Sequence, residues 1–174
     1  MDDAMQVQQT TPLHVIYDRF LAKITDDMYM ELTREDTERD LEEIFLSAVS
    51  LFEFPRFPIF NYNLNFEYMD EFGMMTSRGR YECVLTPEEI DILSDCMVIE
   101  WLRRQIASVE NTRMKYSGSD FKFTSQANHL DKLLKFRQEL HKNNMHKQRL
   151  YKRRKFDPKT GMISSDLSKL MGRK

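Results

Sequence analysis

Four histidines, two cysteines and one acidic stretch are the residues of this chain whose types could support acid–base, metal or nucleophilic chemistry. None has the spacing that such chemistry needs, because the sequence contains no HExxH, no CxxC, no nucleophile motif around a serine and no glycine-rich phosphate loop. The acidic stretch is typical of a solvated helix start. We therefore expect no enzyme, no catalytic residue, no metal and no cofactor. The residues weighed are His14, His129, His141, His146, Cys83, Cys96 and residues 35–38.

The most informative feature is a basic segment near the C-terminus. Residues 141–174 contain 11 Lys and Arg against 2 Asp and Glu, a net charge of +9. Residues 1–140 contain 15 basic and 26 acidic residues, a net charge of −11. Such an asymmetry indicates a negatively charged partner, which could be nucleic acid, an acidic protein surface or the acidic body of a neighbouring copy.

Two interpretations of the basic segment stay open. In a nucleic-acid contact, Lys and Arg would neutralise phosphates with strong salt dependence, and Tyr151 would offer a stacking surface. In a protein contact, the charges would lie on an acidic rim while a short apolar helix face fills a groove; we favour this one because nucleic-acid arms seldom need such a face. The predicted partner-binding residues are Arg149, Tyr151, Lys152, Arg153, Arg154, Lys155, Leu167, Leu170 and Met171.

Helical periodicity predicts the elements before the middle of the chain. Apolar residues recur at helical spacing from Leu13 to Ile24 and again from Leu41 to Phe52. We expect Thr11-Pro12 to open the first helix, since threonine caps free amides and proline suits the first helical position. The second helix is expected to begin near Thr33.

Two longer helices are predicted in the second half. Thr86-Pro87-Glu88-Glu89 has the pattern of a capping box and opens a broadly apolar helix that suits a central position, expected to run to about Lys115. A fourth helix begins around Ser125. Beyond residue 140 its apolar stripe fades, so we expect any continuation towards Lys155 to project from the core as a basic rod.

Between the helix pairs the hydrophobic period changes to two. Five mostly aromatic residues alternate with Asn and Glu, and a shorter alternation follows from Arg80 to Leu85, so we predict a long-looped β-hairpin over about 59–85. The hairpin either packs on the helices of its own domain or presents an edge strand to a neighbouring copy. The candidate subunit contacts are Phe60, Tyr62, Leu64, Phe66 and Tyr68.

The predicted fold class is mainly α: a four-helix bundle with an inserted hairpin and an extended basic C-terminal helix. We divide the chain into a helical domain, 1–140, and a basic arm, 141–174, that ends in a docking segment. No apolar run approaches the roughly 18–20 residues of a membrane span, and the acidic N-terminus lacks the apolar region of a signal peptide. The two cysteines cannot form a disulfide framework, which favours a reducing cytoplasm.

This element order resembles that of the head–tail connector proteins of tailed bacteriophages, also called adaptor, neck or head-completion proteins. The similarity is one of layout over about residues 10–155. It is carried by the segment Leu85-Thr86-Pro87-Glu88-Glu89-Ile90 through Trp101-Leu102, by Lys115-Tyr116-Ser117-Gly118-Ser119-Asp120-Phe121, by Ser125-Gln126-Ala127 and by the run from Arg149 to Lys155. The aromatic hairpin is larger than a minimal adaptor would have.

The resemblance implies a structural protein of the virion neck, assembled in the host cytoplasm. Such adaptors form a homo-oligomeric ring under the portal protein, contact the next neck or tail proteins, and line the channel through which DNA passes. The resemblance implies that the basic residues bind acidic portal surface or passing DNA and that the apolar terminal patch docks on the portal. It implies no membrane contact. The alternative is a small cytoplasmic nucleic-acid-binding or regulatory protein that uses the basic helix.

Overall fold

The computed structural model describes residues 10–24, 28–115, 123–156 and 163–165, and these form a mainly helical fold with a small antiparallel sheet. This confirms the predicted fold class at that level. The elements are β1 Thr11–Pro12, α1 Leu13–Leu21, α2 Met28–Glu31, α3 Arg34–Ala48, a 3₁₀ turn Val49–Leu51, β2 Tyr62–Met69, β3 Met75–Tyr81, α4 Pro87–Lys115, α5 Phe123–Arg153, β4 Arg154–Phe156 and β5 Ile163–Ser165.

Helix α4 is the element against which the other long helices pack. It begins with the predicted capping box: the Glu89 side chain accepts a hydrogen bond from the Thr86 amide at 2.7 Å, and the Glu89 amide donates to Thr86 Oγ1 at 3.3 Å. Helices α1, α3 and α5 all contact it. A helix enclosed in this way needs apolar residues around most of its circumference. Its buried apolar residues are Ile92, Leu93, Cys96, Met97, Val98, Ile99, Leu102 and Ile106.

The first two long helices bury the predicted apolar stripes. Thr33 caps α3 by accepting a hydrogen bond from the Asp36 amide, as expected. The expected cap of α1 is wrong: Thr11-Pro12 forms strand β1, and the helix begins at Leu13. Thr11 Oγ1 instead accepts a hydrogen bond from the buried Leu85 amide at 2.7 Å. This bond ties the first strand to the segment just before α4.

The sheet has the strand order β1–β3–β2, with both neighbouring pairs antiparallel. Strand β2 confirms the first predicted strand. The second predicted strand, residues 80–85, is misplaced, because β3 runs from Met75 to Tyr81. The buried Tyr81 ring meets Phe45 of α3 and Phe57 of the segment before β2 edge to face, at centroid distances of 5.9 and 5.5 Å.

A bulge interrupts the hairpin around Gly79. Asn63 pairs with Arg80 and Glu67 pairs with Arg78, so β2 holds two more residues than β3 over this interval. An insertion of two residues preserves the alternation of faces, which explains why the sequence pattern stays regular. Gly79 adopts φ +79°, and a Cβ there would lie 2.6 Å from Leu13 Cδ1. Glycine at this position therefore lets α1 pack closely on the sheet.

We predict that Gly79→Ala destabilises the fold more than Gly73→Ala does. Both glycines have positive φ, but a Cβ at Gly73 would meet nothing within 4 Å. Each substitution places an alanine at positive φ, which costs roughly 1–2 kcal/mol. This cost cancels when the free energies of unfolding of the two variants are compared. The contact with Leu13 should add about 1–3 kcal/mol of overpacking to the Gly79 variant, measured as free energy of unfolding in urea. Equal losses in the two variants would contradict this account.

Candidate functional site

Helix α5 continues through the predicted domain boundary at residue 140 to Arg153. Asn144, Gln148 and Tyr151 lie four and three residues apart on one face and are 1, 1 and 2% exposed. The expected basic rod beyond the core is therefore wrong. These side chains are polar, so the buried face does not appear as an apolar stripe in the sequence.

Tyr151 belongs to the core, which corrects its predicted role as a stacking surface for a partner. Its hydroxyl donates to Glu89 Oε1 and accepts from the Arg56 amide at 3.3 Å. Its ring packs edge to face on Phe52, with centroids 5.5 Å apart. Burial, together with the bond to Glu89, raises the pKa of Tyr151 well above its ordinary value, so the hydroxyl stays a donor. Glu89 thus serves both the start of α4 and the end of α5.

The segment between α3 and β2 supplies polar contacts to the end of α5. Gln148 donates to the Leu51 carbonyl at 2.9 Å and accepts from the Glu53 amide at 2.8 Å. The Arg56 guanidinium lies 4.2 Å over the Tyr151 ring and donates to the carbonyls of Tyr151 and Arg154. A cation on the last carbonyls of a helix satisfies acceptors that lack intrahelical partners and favours the helix dipole.

An ion cluster joins α5 to the beginning of α4. Asp91 and Asp95, four residues apart, are bridged on one side by Lys23 Nζ at 2.8 and 2.6 Å and on the other by Lys147 Nζ at 2.8 and 2.6 Å. The Asp95 side chain is only 8% exposed, so its charge requires these partners. Asn144 lies one turn earlier on α5 and donates to Cys96 Sγ at 3.1 Å.

Protonation in this cluster is shifted towards the charged forms. Burial alone would raise the pKa of Asp91, but hydrogen bonds from Lys147 and Lys23 outweigh it and lower the pKa to about 2. Burial alone would lower the pKa of Lys147, but its bonds to Asp91 and Asp95 raise it. Both ion-pair partners therefore stay charged at neutral pH.

The outer face of α5 carries a row of three cations and one histidine that we call the basic stripe: Lys142, His146, Arg149 and Arg153. Spacings of four, three and four residues place them on one line, opposite the buried face. The row spans about 16 Å at 1.5 Å per residue. All four side chains are exposed, and none is ion-paired with another described residue. This surface can bind an anionic partner without disturbing the contacts of the inner face.

The structure divides the predicted partner-binding residues between these two faces. Arg149 and Arg153 lie in the basic stripe. Lys152 is exposed and lies 4.4 Å over the Phe54 ring, and Arg154 forms a 2.8 Å ion pair with Glu88. The side chains of Lys155, Leu167, Leu170 and Met171 lie outside the described part of the structure.

Most of the predicted hairpin contacts lie against the chain's own residues. Tyr62 and Leu64 pack on the core, and Tyr62 meets Phe45 with centroids 5.3 Å apart. The Phe66 ring lies 3.8 Å beneath the Arg80 guanidinium and 4.9 Å from the Tyr68 ring. Phe60 precedes β2 and is 67% exposed, so it alone of the five has a largely free side chain.

Strand β2 is at the open edge of the sheet, but its backbone is irregular there. The bulge interrupts its pairing, and the Asn65 amide donates to Asn63 Oδ1 at 3.0 Å. Irregular edges with occupied amides oppose strand addition. The geometry therefore favours the internal role of the hairpin over pairing with a neighbouring strand.

Reactive side chains are few in the described ranges. No group of three or more His, Cys, Asp and Glu residues within them is arranged to hold a metal ion. Cys96 is buried, and its burial raises the pKa of the thiol to about 12; burial also raises the pKa of Cys83. Both thiols therefore stay protonated at neutral pH. In the same ranges, no helix combines the length and apolar character needed to cross a bilayer.

In comparisons with known proteins, no family model matches the chain, and neither a curated protein nor a solved structure shows significant similarity to it.

Sequence reasoning missed the residues that hold the end of α5. Asp91 and Asp95 lie among buried apolar positions of α4. Carboxylates at such positions indicate that cationic side chains from other elements form ion pairs with them. Nothing in the local sequence identifies Lys23 and Lys147 as those cations, because they are 124 residues apart in the chain. Arg56 lies in the proline-rich segment between α3 and β2, and no sequence pattern identifies it as a contact of α5.

We predict that Asp91→Asn destabilises the protein by about 1–2 kcal/mol at pH 7 through the loss of charged hydrogen bonds. Folding lowers the pKa of Asp91 from its ordinary 3.8 to about 2, so its charge stabilises the fold above about pH 4 and this contribution fades as the pH falls towards 2. Urea unfolding at stepped pH should therefore show the deficit shrinking mainly between about pH 4 and 2.

The matched control is Asp131→Asn. Asp131 forms an exposed ion pair with Lys135, with side chains 60 and 70% exposed, and its loss should leave the free energy of unfolding nearly unchanged. A deficit for Asp91→Asn that stays constant over the same pH range would show that its charge is not the source of the stabilisation.

Proposed function

We propose that the chain is a non-enzymatic structural protein of a phage neck, a ring-forming connector subunit between portal and tail. Its body would be a four-helix bundle of α1, α3, α4 and α5 with the hairpin inserted. The proposal starts from the resemblance in layout, and the described fold is compatible with it. Three helices contact α4, and the basic C-terminal part begins within the last of them, α5.

The observation that carries the proposal is the two-faced end of α5. The inner face is fixed to the body by Lys147, Gln148 and Tyr151, while the basic stripe faces outward. A rigid base for a basic arm reduces the conformational entropy lost when the arm binds its partner. This arrangement suits a body that stays folded while the residues after α5 dock on another protein.

In this proposal the C-terminal arm binds the portal protein, and the body meets neighbouring copies and the next neck or tail protein. Leu167, Leu170 and Met171 would provide the apolar part of the docking segment. The stripe would face acidic protein surface or, without base readout, passing DNA. The working location would be the virion neck, reached from the host cytoplasm during assembly.

The test is quantitative mass spectrometry of purified virus particles combined with a truncation. We expect the full chain at a fixed copy number far below that of the shell protein. Deleting residues 156–174 should abolish joining of heads and tails while the bundle stays folded, because the ion pair from Arg154 to Glu88 and the inner face of α5 are retained. Circular dichroism and the urea midpoint check the fold.

A variant with Leu167, Leu170 and Met171 replaced by Ser controls for chain length. It should fail to join particles, as the truncation does. Normal assembly by the truncated chain would overturn arm docking, and absence of the chain from particles would overturn the connector proposal as a whole.

The unpaired basic stripe also supports the second candidate, a small nucleic-acid-binding protein. Lys142→Ala/Arg149→Ala/Arg153→Ala should then flatten the salt dependence of DNA binding by a slope of about 2–3, since each phosphate contact contributes about 0.9. Fluorescence anisotropy with a 20-base-pair duplex at stepped salt measures this. Lys132→Ala/Lys135→Ala, on the same helix, is the control. An unchanged slope would exclude the stripe as a phosphate contact.

A further inference from the structure

The basic stripe is an exposed helix face, and the described part of the same molecule offers a complementary surface. A polar groove of about 440 Å³ lies between α3 and the hairpin. Its carboxylates are Glu35, Glu38, Glu42 and Glu67, and it also contains Arg39 and Arg78. Glu35, Glu42 and Glu67 form no ion pair with other described residues, so they remain open to an external cation.

The two surfaces match in spacing. Glu35, Glu38 and Glu42 are three and four residues apart on one face of α3, so their ends are separated by about 10 Å along the axis. Lys142 and Arg149 are seven residues apart on one face of α5, the same separation as that between Glu35 and Glu42 on α3. A helix laid beside α3 can therefore bring cations and carboxylates into register, and Glu67 on β2 adds a fourth negative group at the groove edge.

The surfaces lie on different elements, since α5 carries the stripe while α3 and β2 line the groove. A two-fold dimer would form this contact twice, whereas a contact formed once per pair of molecules is heterologous, and repeated heterologous contacts close into a ring when the rotation permits. An edge-to-edge contact through β2 is disfavoured by its bulge and by the occupied Asn65 amide.

We propose that the basic stripe of one copy binds the acidic groove of a second copy. This inference rests on the proposed function for its ring, and it names the surfaces that would join the subunits. A second copy is favoured over nucleic acid because residues 1–140 carry a net charge of −11, which repels a polyanion but attracts the stripe.

The experiment measures self-association of the full chain by analytical ultracentrifugation up to about 500 μM, at 50 and 500 mM NaCl. The wild type should associate, and more weakly at high salt because the contact is ionic. Arg149→Glu/Arg153→Glu should raise the dissociation constant about a hundredfold, as should Glu35→Lys/Glu67→Lys, since like charges then face each other. These four side chains are exposed, so folding is retained, which circular dichroism checks.

Mixing the two variants gives the decisive readout. In the mixture, the negative stripe of the first variant faces the positive groove of the second. The positive stripe of the second variant faces the negative groove of the first, as in the wild type. An equimolar mixture should therefore associate like the wild type, although each variant alone does not. Lys132→Glu/Lys135→Glu makes the same change in net charge elsewhere on α5 and should leave association within about threefold of wild type.

The other outcomes overturn the inference in distinguishable ways. Association that survives both reversals would place the subunit contact elsewhere and leave the connector proposal standing. A wild type that stays monomeric at 50 mM salt would refute this contact, and particle mass spectrometry would then decide the connector proposal independently. If the stripe reversal instead abolishes duplex binding while the wild type stays monomeric, the stripe is a nucleic-acid contact.

Discussion

The carboxylate of Glu89 is the group on which the described arrangement of helices depends most directly. One oxygen accepts from the Thr86 amide and so begins α4, and the other accepts from the Tyr151 hydroxyl near the end of α5. Just before this pair, the Leu85 amide donates to Thr11 in β1. Five consecutive residues thus connect the first strand, the central helix and the last helix. Because Glu89 is only 6% exposed, loss of either partner would leave a buried acceptor unpaired.

The positive charge at the end of α5 has two different environments. Lys147 neutralises the buried Asp95 of α4, where an unpaired charge would be costly, and Arg154 pairs with the partly exposed Glu88. Arg149 and Arg153 instead point to solvent. The net charge of residues 141–174 therefore overstates what is available to a partner. The charge difference between body and arm is partly neutralised within the molecule, and three further cations of α5, Lys142, Arg149 and Arg153, lie together on its outer face.

The long helices could be predicted from the sequence because their signals are local: the capping box at Thr86 and the apolar stripe of α4 depend on neighbouring residues. Strand β1 could not be predicted, because Thr11-Pro12 has the pattern of a helix start. Its partner strand, β3, lies about 70 residues away in the chain, so no local signal marks the pairing. The position of β3 was obscured by Gly79 and the bulge. The buried face of α5 was missed because Asn144, Gln148 and Tyr151 are buried through hydrogen bonds, which leave no hydrophobic period.

An arm held by hydrogen bonds and ion pairs differs physically from one held by apolar packing. Ion pairs such as Lys147 with Asp91 weaken with salt and at low pH, whereas the Phe52–Tyr151 contact does not. Both kinds of contact fix the same two turns of α5, so they hold the basic stripe on an ordered helix. A preformed helical face loses less entropy on binding than a flexible basic tail would. The inner contacts of α5 thereby determine how strongly its outer face can bind.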